Sequence, residues 1–172
     1  IGLKQLRKMD TSNIMPELSA CFFNIACDVN NVLCGKDGAS YVYGKQKGAT
    51  PEMIRDIDLW LKEYSNLAKS IYPQKANPNY KGAGAAGGIG FAFLTFLNSK
   101  LDSGFRIISE QSIIESYIKN ADIVITGEGR FDSQTINGKV PVGIAKISKK
   151  YNKKVLAFTG SIEDNSPDFS RY

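Results

Sequence analysis

From Ile54 onward, apolar side chains recur at spacings of three and four: Ile54, Ile57, Leu61, Tyr64, Ala68 and Ile71, with Trp60 and Leu67 widening the stripe. That period lays them on one face of a helix. Thr50, Pro51 and Glu52 supply a cap, a first-turn proline and an acid, so a helix is predicted over 51–71 with core packing as its role. Other stretches lack this period. Residues 21–29, 123–125 and 155–158 are short apolar runs without alternation, as expected of strands buried on both sides in a parallel sheet. Between the last two, Val140, Ile144 and Ile147 stand at helical spacing, which predicts a βαβ unit with a right-handed crossover. The run 85–97 suits a buried helix and is too short and glycine-rich to span a bilayer. A short helix is expected from Ser109 and Glu110, with Ile113, Ile114, Tyr117 and Ile118 inward. The Pro73–Lys81 stretch, with Pro78 and two asparagines, reads as a break. The expectation is an α/β protein of Rossmann-like βαβ units, with helices on both faces of parallel sheets and parts of two domains, 1–78 and 79–172.

The chemistry gathers where the strands are predicted to end. After Ile125 come Thr126, Gly127, Glu128, Gly129, Arg130, Phe131, Asp132, Ser133, Gln134 and Thr135, beyond the carboxyl end of a strand, where open α/β sheets hold ligands. Asp28 and Asn31 follow the first strand in the same way, and Thr159, Gly160 and Ser161 the last. Glu128, Arg130 and Asp132 form either a solvated turn or a site, and the flanking glycines, which cost chain entropy, favour the site. Carboxylates holding magnesium, with an arginine gripping a carboxylate or phosphate through two hydrogen bonds, are what phosphoryl transfer needs. Asp28 is a second carboxylate for the metal, beside Glu128. Lys47, just ahead of a glycine and a helix start, is either a phosphate contact or an ordinary surface lysine.

Gly82, Gly84 and Gly87 match the dinucleotide fingerprint as a pattern, but residues 76–81 ahead of them are no strand, which that fingerprint requires. Two readings stay open for Gly82, Gly84, Gly87 and Gly88: backbone N–H groups approaching an anion at a helix start, or small residues that let two backbones meet. A P-loop is excluded, because Gly138 and Lys139 are followed by Val140 and lack the upstream glycine. Protein-kinase signatures are absent as well.

Composition narrows the field. Hydrophobic residues at 42% and charged residues at 23% of 172 are ordinary for a globular chain. A net charge of +5 invites a phosphate-bearing partner. The one lysine cluster, 146, 149, 150, 153 and 154, falls at a predicted helix end, where cations complement the dipole. No basic stripe is interleaved with aromatics, so no nucleic-acid partner is expected. Cysteines 21, 27 and 34 are odd in number, and there is no histidine. They read as small core residues in a reducing compartment, and Ser–His and Cys–His nucleophile pairs drop out of this segment. Proton transfer falls to Asp, Glu, Lys or Tyr. No secretory signal or spanning run is visible, so a cytoplasmic location with no membrane partner is expected. The chain opens at Ile1 without a methionine start and stops after a strand and a polar loop, which predicts the middle of a longer polypeptide.

Taken in order, these segments resemble the bacterial glycerate kinases that make phosphoglycerate from D-glycerate and ATP. The matching residues are Ala26-Cys27-Asp28-Val29-x-Asn31 with Leu33 and Gly35, then Gly38-Ala39, Gln46 to Pro51, Gly82 to Gly88, and Ile125 to Thr135 with Gly138-Lys139. Val32 departs from the pattern, standing where the family usually has proline. The resemblance implies ATP and magnesium as cofactors and D-glycerate as the small-molecule partner. It implies that Arg130 holds the glycerate carboxylate or the transferring phosphate, and that Lys47 neutralises phosphate charge. Asp28, Glu128 and Asp132 would share metal binding and orientation of the attacking hydroxyl, the last falling to Asp132. Asn31, Gln134, Thr135 and the 82–88 loop would complete the pocket. A non-catalytic anion-binding module and a kinase for another small hydroxy acid are the rival readings.

Overall fold

The computed structural model describes residues 2–131, 135 and 139–163. The chain is α/β and divides into two compact units, Ile1–Leu101 and Asp102–Tyr172.

In the first unit, strand β1 (Phe23–Ala26) pairs with β2 (Ser99–Asp102). Between them come helices α1 (Ala39–Tyr43), α2 (Pro51–Ile71) and α3 (Ile89–Phe96). Helix α2 spans the predicted residues, and Thr50 caps it by accepting a hydrogen bond on Oγ1 from the Met53 N–H at 3.2 Å. Its apolar stripe faces the core, where Leu61 and Ala68 join Leu33, Ala83 and Phe91. Tyr64 meets the edge of Phe91, with ring centroids 5.4 Å apart, and Tyr72 meets Phe96 at 5.7 Å. The Pro73–Lys81 stretch docks on this core: Ala76 is buried and the Leu33 N–H donates to the Pro78 carbonyl at 2.9 Å.

Strand β1 is shorter than the predicted 21–29, and of the cysteines expected in the core Cys34 packs against it without being fully buried. Cys21 is exposed, while Cys27 and Cys34 are half-buried. The sheet ladder ends at Ala26, so apolar residues on either side of it belong to irregular chain. Strand β2 was not foreseen, because its sequence, Ser-Lys-Leu-Asp, carries no apolar run.

In the second unit, helices α4 (Gly104–Gln111) and α5 (Ile114–Asn120) lead to strand β3 (Ile123–Phe131), helix α6 (Val140–Lys150) and strand β4 (Lys154–Ile162). Strands β3 and β4 run parallel, with Ile125 opposite Leu156 and Arg130 opposite Ser161, so the predicted βαβ unit is present. Ile118, Phe131, Val142 and Ile144 are buried here.

Three expectations fail in this unit. The single helix from Ser109 is two helices, the first capped by Ser103 Oγ accepting from the Arg106 N–H at 3.2 Å. Ile113 falls at the break between them and is exposed, as is Tyr117, leaving Ile118 to point inward. Neither strand stops at its Thr-Gly pair; both continue through the polar residues as regular ladder. Nor is the sheet covered on both faces: Ile123, Ile125, Leu156, Phe158 and Ile162 are each at least half exposed. Residues two apart on a strand share a face, and among the described residues of this unit that face stays open while α6 packs on the pair.

Candidate active site

Each unit carries part of the predicted chemistry. In the first, Asn31 ties the segment after β1 to its surroundings. Its backbone carbonyl accepts from the N–H groups of both Gly82 (3.2 Å) and Gly84 (2.9 Å). Its side-chain amide donates to the Asp37 carbonyl at 3.1 Å, and its side-chain oxygen accepts a short hydrogen bond from the Tyr43 hydroxyl. Burial, helped by Cys27, raises the Tyr43 pKa, so the phenol keeps its proton for that bond. A second anchor is Asp58 of α2, whose Oδ1 accepts from the Gly35 N–H at 2.8 Å and from the buried Ser40 hydroxyl at 3.2 Å. Beside it, burial and then the Asp58 carboxylate push the Cys34 thiol up to about 11, against the opposing pull of Lys62.

The glycine run is a tight turn ahead of α3. The amides of Gly87 and Gly88 donate to the carbonyls of Gly84 and Ala85, so the N–H groups of all four glycines, 82, 84, 87 and 88, are engaged within the protein, as are those of Ala83 and Ala85. A β-carbon on Gly84 would stand 2.2 Å from the Val32 carbonyl oxygen. Small residues are therefore required where this turn meets the segment after β1. Gly88 takes φ of 107°, which only glycine adopts readily. Ala86 is held at φ 50°, a left-handed conformation that costs an L-residue about 1–2 kcal/mol. Ala86 and Gly87 line a cavity of about 480 Å³, together with Val29, Tyr43, Ile57 and the exposed Lys47. Asp28, exposed, lies next to Val29.

In the second unit, Glu128 and Arg130 occupy alternate positions of β3, hence one face of the strand. Glu128 is held from two sides: Lys139 Nζ lies 3.2 Å from its Oε1, and the fully buried Thr135 hydroxyl donates to Oε2 at 3.3 Å. Arg130 Nη2 lies 3.1 Å from Glu163 Oε1, just past the end of β4, and the Glu163 N–H donates to the Phe131 carbonyl at 2.9 Å. Two carboxylates and two cations thus gather at the carboxyl ends of paired parallel strands. The Arg130 pair is well exposed on both sides, so it contributes under about 1 kcal/mol and yields readily to a competing anion. Asp132 and Gln134 lie outside the described residues.

The sequence reading missed Tyr43, Ser40, Asp58 and Glu163. Tyr43 and Asp58 act on residues far along the chain, with no local motif to announce them. Glu163 could have been found as the first acid after β4, in the position that Asp28 holds after β1. In the lysine cluster, Lys150 Nζ and the neighbouring Tyr151 hydroxyl both lie 2.6 Å from Glu115 Oε1.

The class these features define is an α/β protein with paired acids and bases on one strand end. Comparison with known proteins makes it particular. The glycerate kinase family model matches residues 1–171. Glycerate 2-kinase of Escherichia coli K12 is 43% identical over 164 residues, covering 95% of this chain and 43% of that protein. Glycerate kinase of Bacillus subtilis 168 is 42% identical over 96% of this chain and 43% of its own length. A crystal structure from Salmonella typhimurium LT2, described as a glycerate kinase 2, superposes with a TM-score of 0.79 at 48% identity, covering 93% of this chain and 42% of that one. The chain belongs to the glycerate kinase family, and it spans less than half the length of these relatives.

Proposed function

We propose that the intact protein transfers the γ-phosphoryl group of ATP to D-glycerate, giving phosphoglycerate. The observation that carries this reading is the 43% identity to a glycerate 2-kinase over 164 residues that include both polar clusters. Phosphoryl transfer is mainly positioning and charge stabilisation, so a chain without histidine is no obstacle.

Arg130 grips the glycerate carboxylate or the transferring phosphoryl group, exchanging its exposed partner Glu163 for the substrate. Asp132 orients the attacking hydroxyl. Lys47 meets phosphate charge, while Asn31 sets the shape of the glycine turn through its hydrogen bonds. Thr135 and Lys139 fix the Glu128 carboxylate.

Magnesium fits this donor set. Among the described residues no three acidic or cysteine side chains gather as a cage, but magnesium is commonly held by one or two carboxylates together with substrate phosphates and water. Glu128 keeps acceptor capacity beside its two partners and could supply one such carboxylate. When bound, the ion would neutralise charge on the β- and γ-phosphates.

The test is ADP release by the intact polypeptide with D-glycerate, other small hydroxy acids, or no acceptor. Release should require an acceptor and be fastest with D-glycerate. Arg130→Ala should lower kcat/KM more than tenfold, about 1.4 kcal/mol. A smaller loss removes Arg130 from this role. Preference for another acid points to a different hydroxy-acid kinase, and binding without turnover to an anion-binding module.

A further inference from the structure

We infer that the cavity between α1, α2 and the glycine turn is the nucleobase pocket, taking the adenine of ATP with its phosphates directed towards Lys47. The assignment rests on the nucleotide-dependent reading above, and names which part of which substrate this unit receives.

The cavity, about 480 Å³, has walls that are mainly hydrocarbon: Val29, Ala39, Ile57 and Leu61, closed on one side by the turn at Ala86 and Gly87. Its two hydroxyls are already committed. Ser40 donates to Asp58, and Tyr43 donates to Asn31. Apart from the Lys47 cation at its rim, the cavity offers a small polar acid such as glycerate no free hydroxyl proton for its carboxylate and hydroxyl groups, and burying unpaired polar groups is strongly unfavourable. The volume is also far larger than that molecule needs. A planar aromatic base has the opposite character, with two apolar faces that such walls can cover and a size in the ordinary range for this volume.

The rim supplies the second half of the argument. Lys47 is exposed at the cavity edge, where its cation is available to a polyanion attached to the base. The Tyr43 ring is fixed in place by its hydrogen bond to Asn31, so it presents a rigid wall. The strained left-handed backbone of Ala86 lies on the same cavity. Such outliers concentrate at ligand clamps, where surrounding structure holds them.

The test uses the intact polypeptide with methyl-labelled Val, Ile and Leu, titrated with adenosine, ATP and D-glycerate in turn. Adenosine and ATP should both shift the methyl resonances of Val29, Ile57 and Leu61, leaving those of Ile144 in place. D-Glycerate should leave all four in place. In calorimetric titrations, Ile57→Trp and Val29→Trp should each weaken adenosine and ATP at least tenfold, with D-glycerate affinity within twofold of wild type. Lys47→Ala should weaken ATP several-fold and spare adenosine.

The methyl experiment needs no variant, so it decides the matter even if the tryptophan substitutions impair folding. Failure of adenosine to bind, or binding that leaves these three methyls unmoved, overturns the assignment. So does a shift produced by D-glycerate instead. A protein that phosphorylates glycerate with these methyls unmoved keeps the proposed function and loses this pocket. One that binds adenosine here but transfers nothing to glycerate does the reverse.

Discussion

Asn31 shows how much one residue, backbone and side chain together, organises in the first unit. Through Gly82, Gly84, Tyr43 and Asp37 it joins the segment after β1 to the glycine turn and to α1. Asn31→Ala removes the partners of a half-buried phenol and a backbone carbonyl, and should destabilise the fold by about 1–3 kcal/mol in equilibrium urea unfolding. A loss below about 0.5 kcal/mol would reduce it to an ordinary surface substitution. Cys34 offers a second check. Its thiol is raised from 9.0 to about 11, so the folded state favours the protonated form. The sign follows: stability from this group is intact below pH 9 and falls as pH climbs towards 11. At pH 8, alkylation should label exposed Cys21 first and Cys34 last, by at least tenfold in rate; equal rates would contradict the half-buried, protonated thiol. At this scale the sequence was informative about residue types and silent about partners. Asp28, Glu128 and Arg130 stood out by composition and spacing, but Asp58 acts 23 residues away from Gly35, a reach no local pattern reveals.

Elements were readable wherever one physical signal dominated. The stripe, proline and cap of α2 agree with one another, and the helix appears over the predicted residues. Thr50→Ala should cost it about 1 kcal/mol by thermal or chemical unfolding; no measurable loss would mean the cap is replaced by solvent. Strands β1, β3 and β4 were readable in place but not in length, and β2 was not readable at all. Gly127 to Arg130 looked like loop because glycines and charges are poor strand formers, yet parallel pairing with β4 carries the ladder through them. Tertiary context overrode local preference there. The same limit applies to burial: apolar character on both faces of β3 and β4 predicted two covered faces, and among the described residues one is open. The glycine turn left two readings from sequence, and its packing is now visible in Gly84. Gly84→Ala should cost at least about 2 kcal/mol, since backbone and not a flexible side chain stands in the way. Gly129→Ala, with open space at its β-carbon, should cost well under half as much in the same assay.

For the molecule as a whole, fold class and family were accessible because several weak motifs occurred in one order, and an ordered set is far more specific than any member. The α/β class follows from the parallel βαβ unit, and the family from a match over residues 1–171. What stayed out of reach was how charges would be held: that Glu128 sits between Lys139 and Thr135, and that Arg130 rests on Glu163. Those pairings depend on chain separated by up to 33 residues. The central claim is that this polypeptide joins phosphate to glycerate, and ³¹P NMR of the intact protein with MgATP and D-glycerate tests it most directly. The account predicts a phosphomonoester resonance that grows in step with ADP and is absent without D-glycerate. Intact ATP, or conversion to ADP and inorganic phosphate at the same rate with and without D-glycerate, would contradict it.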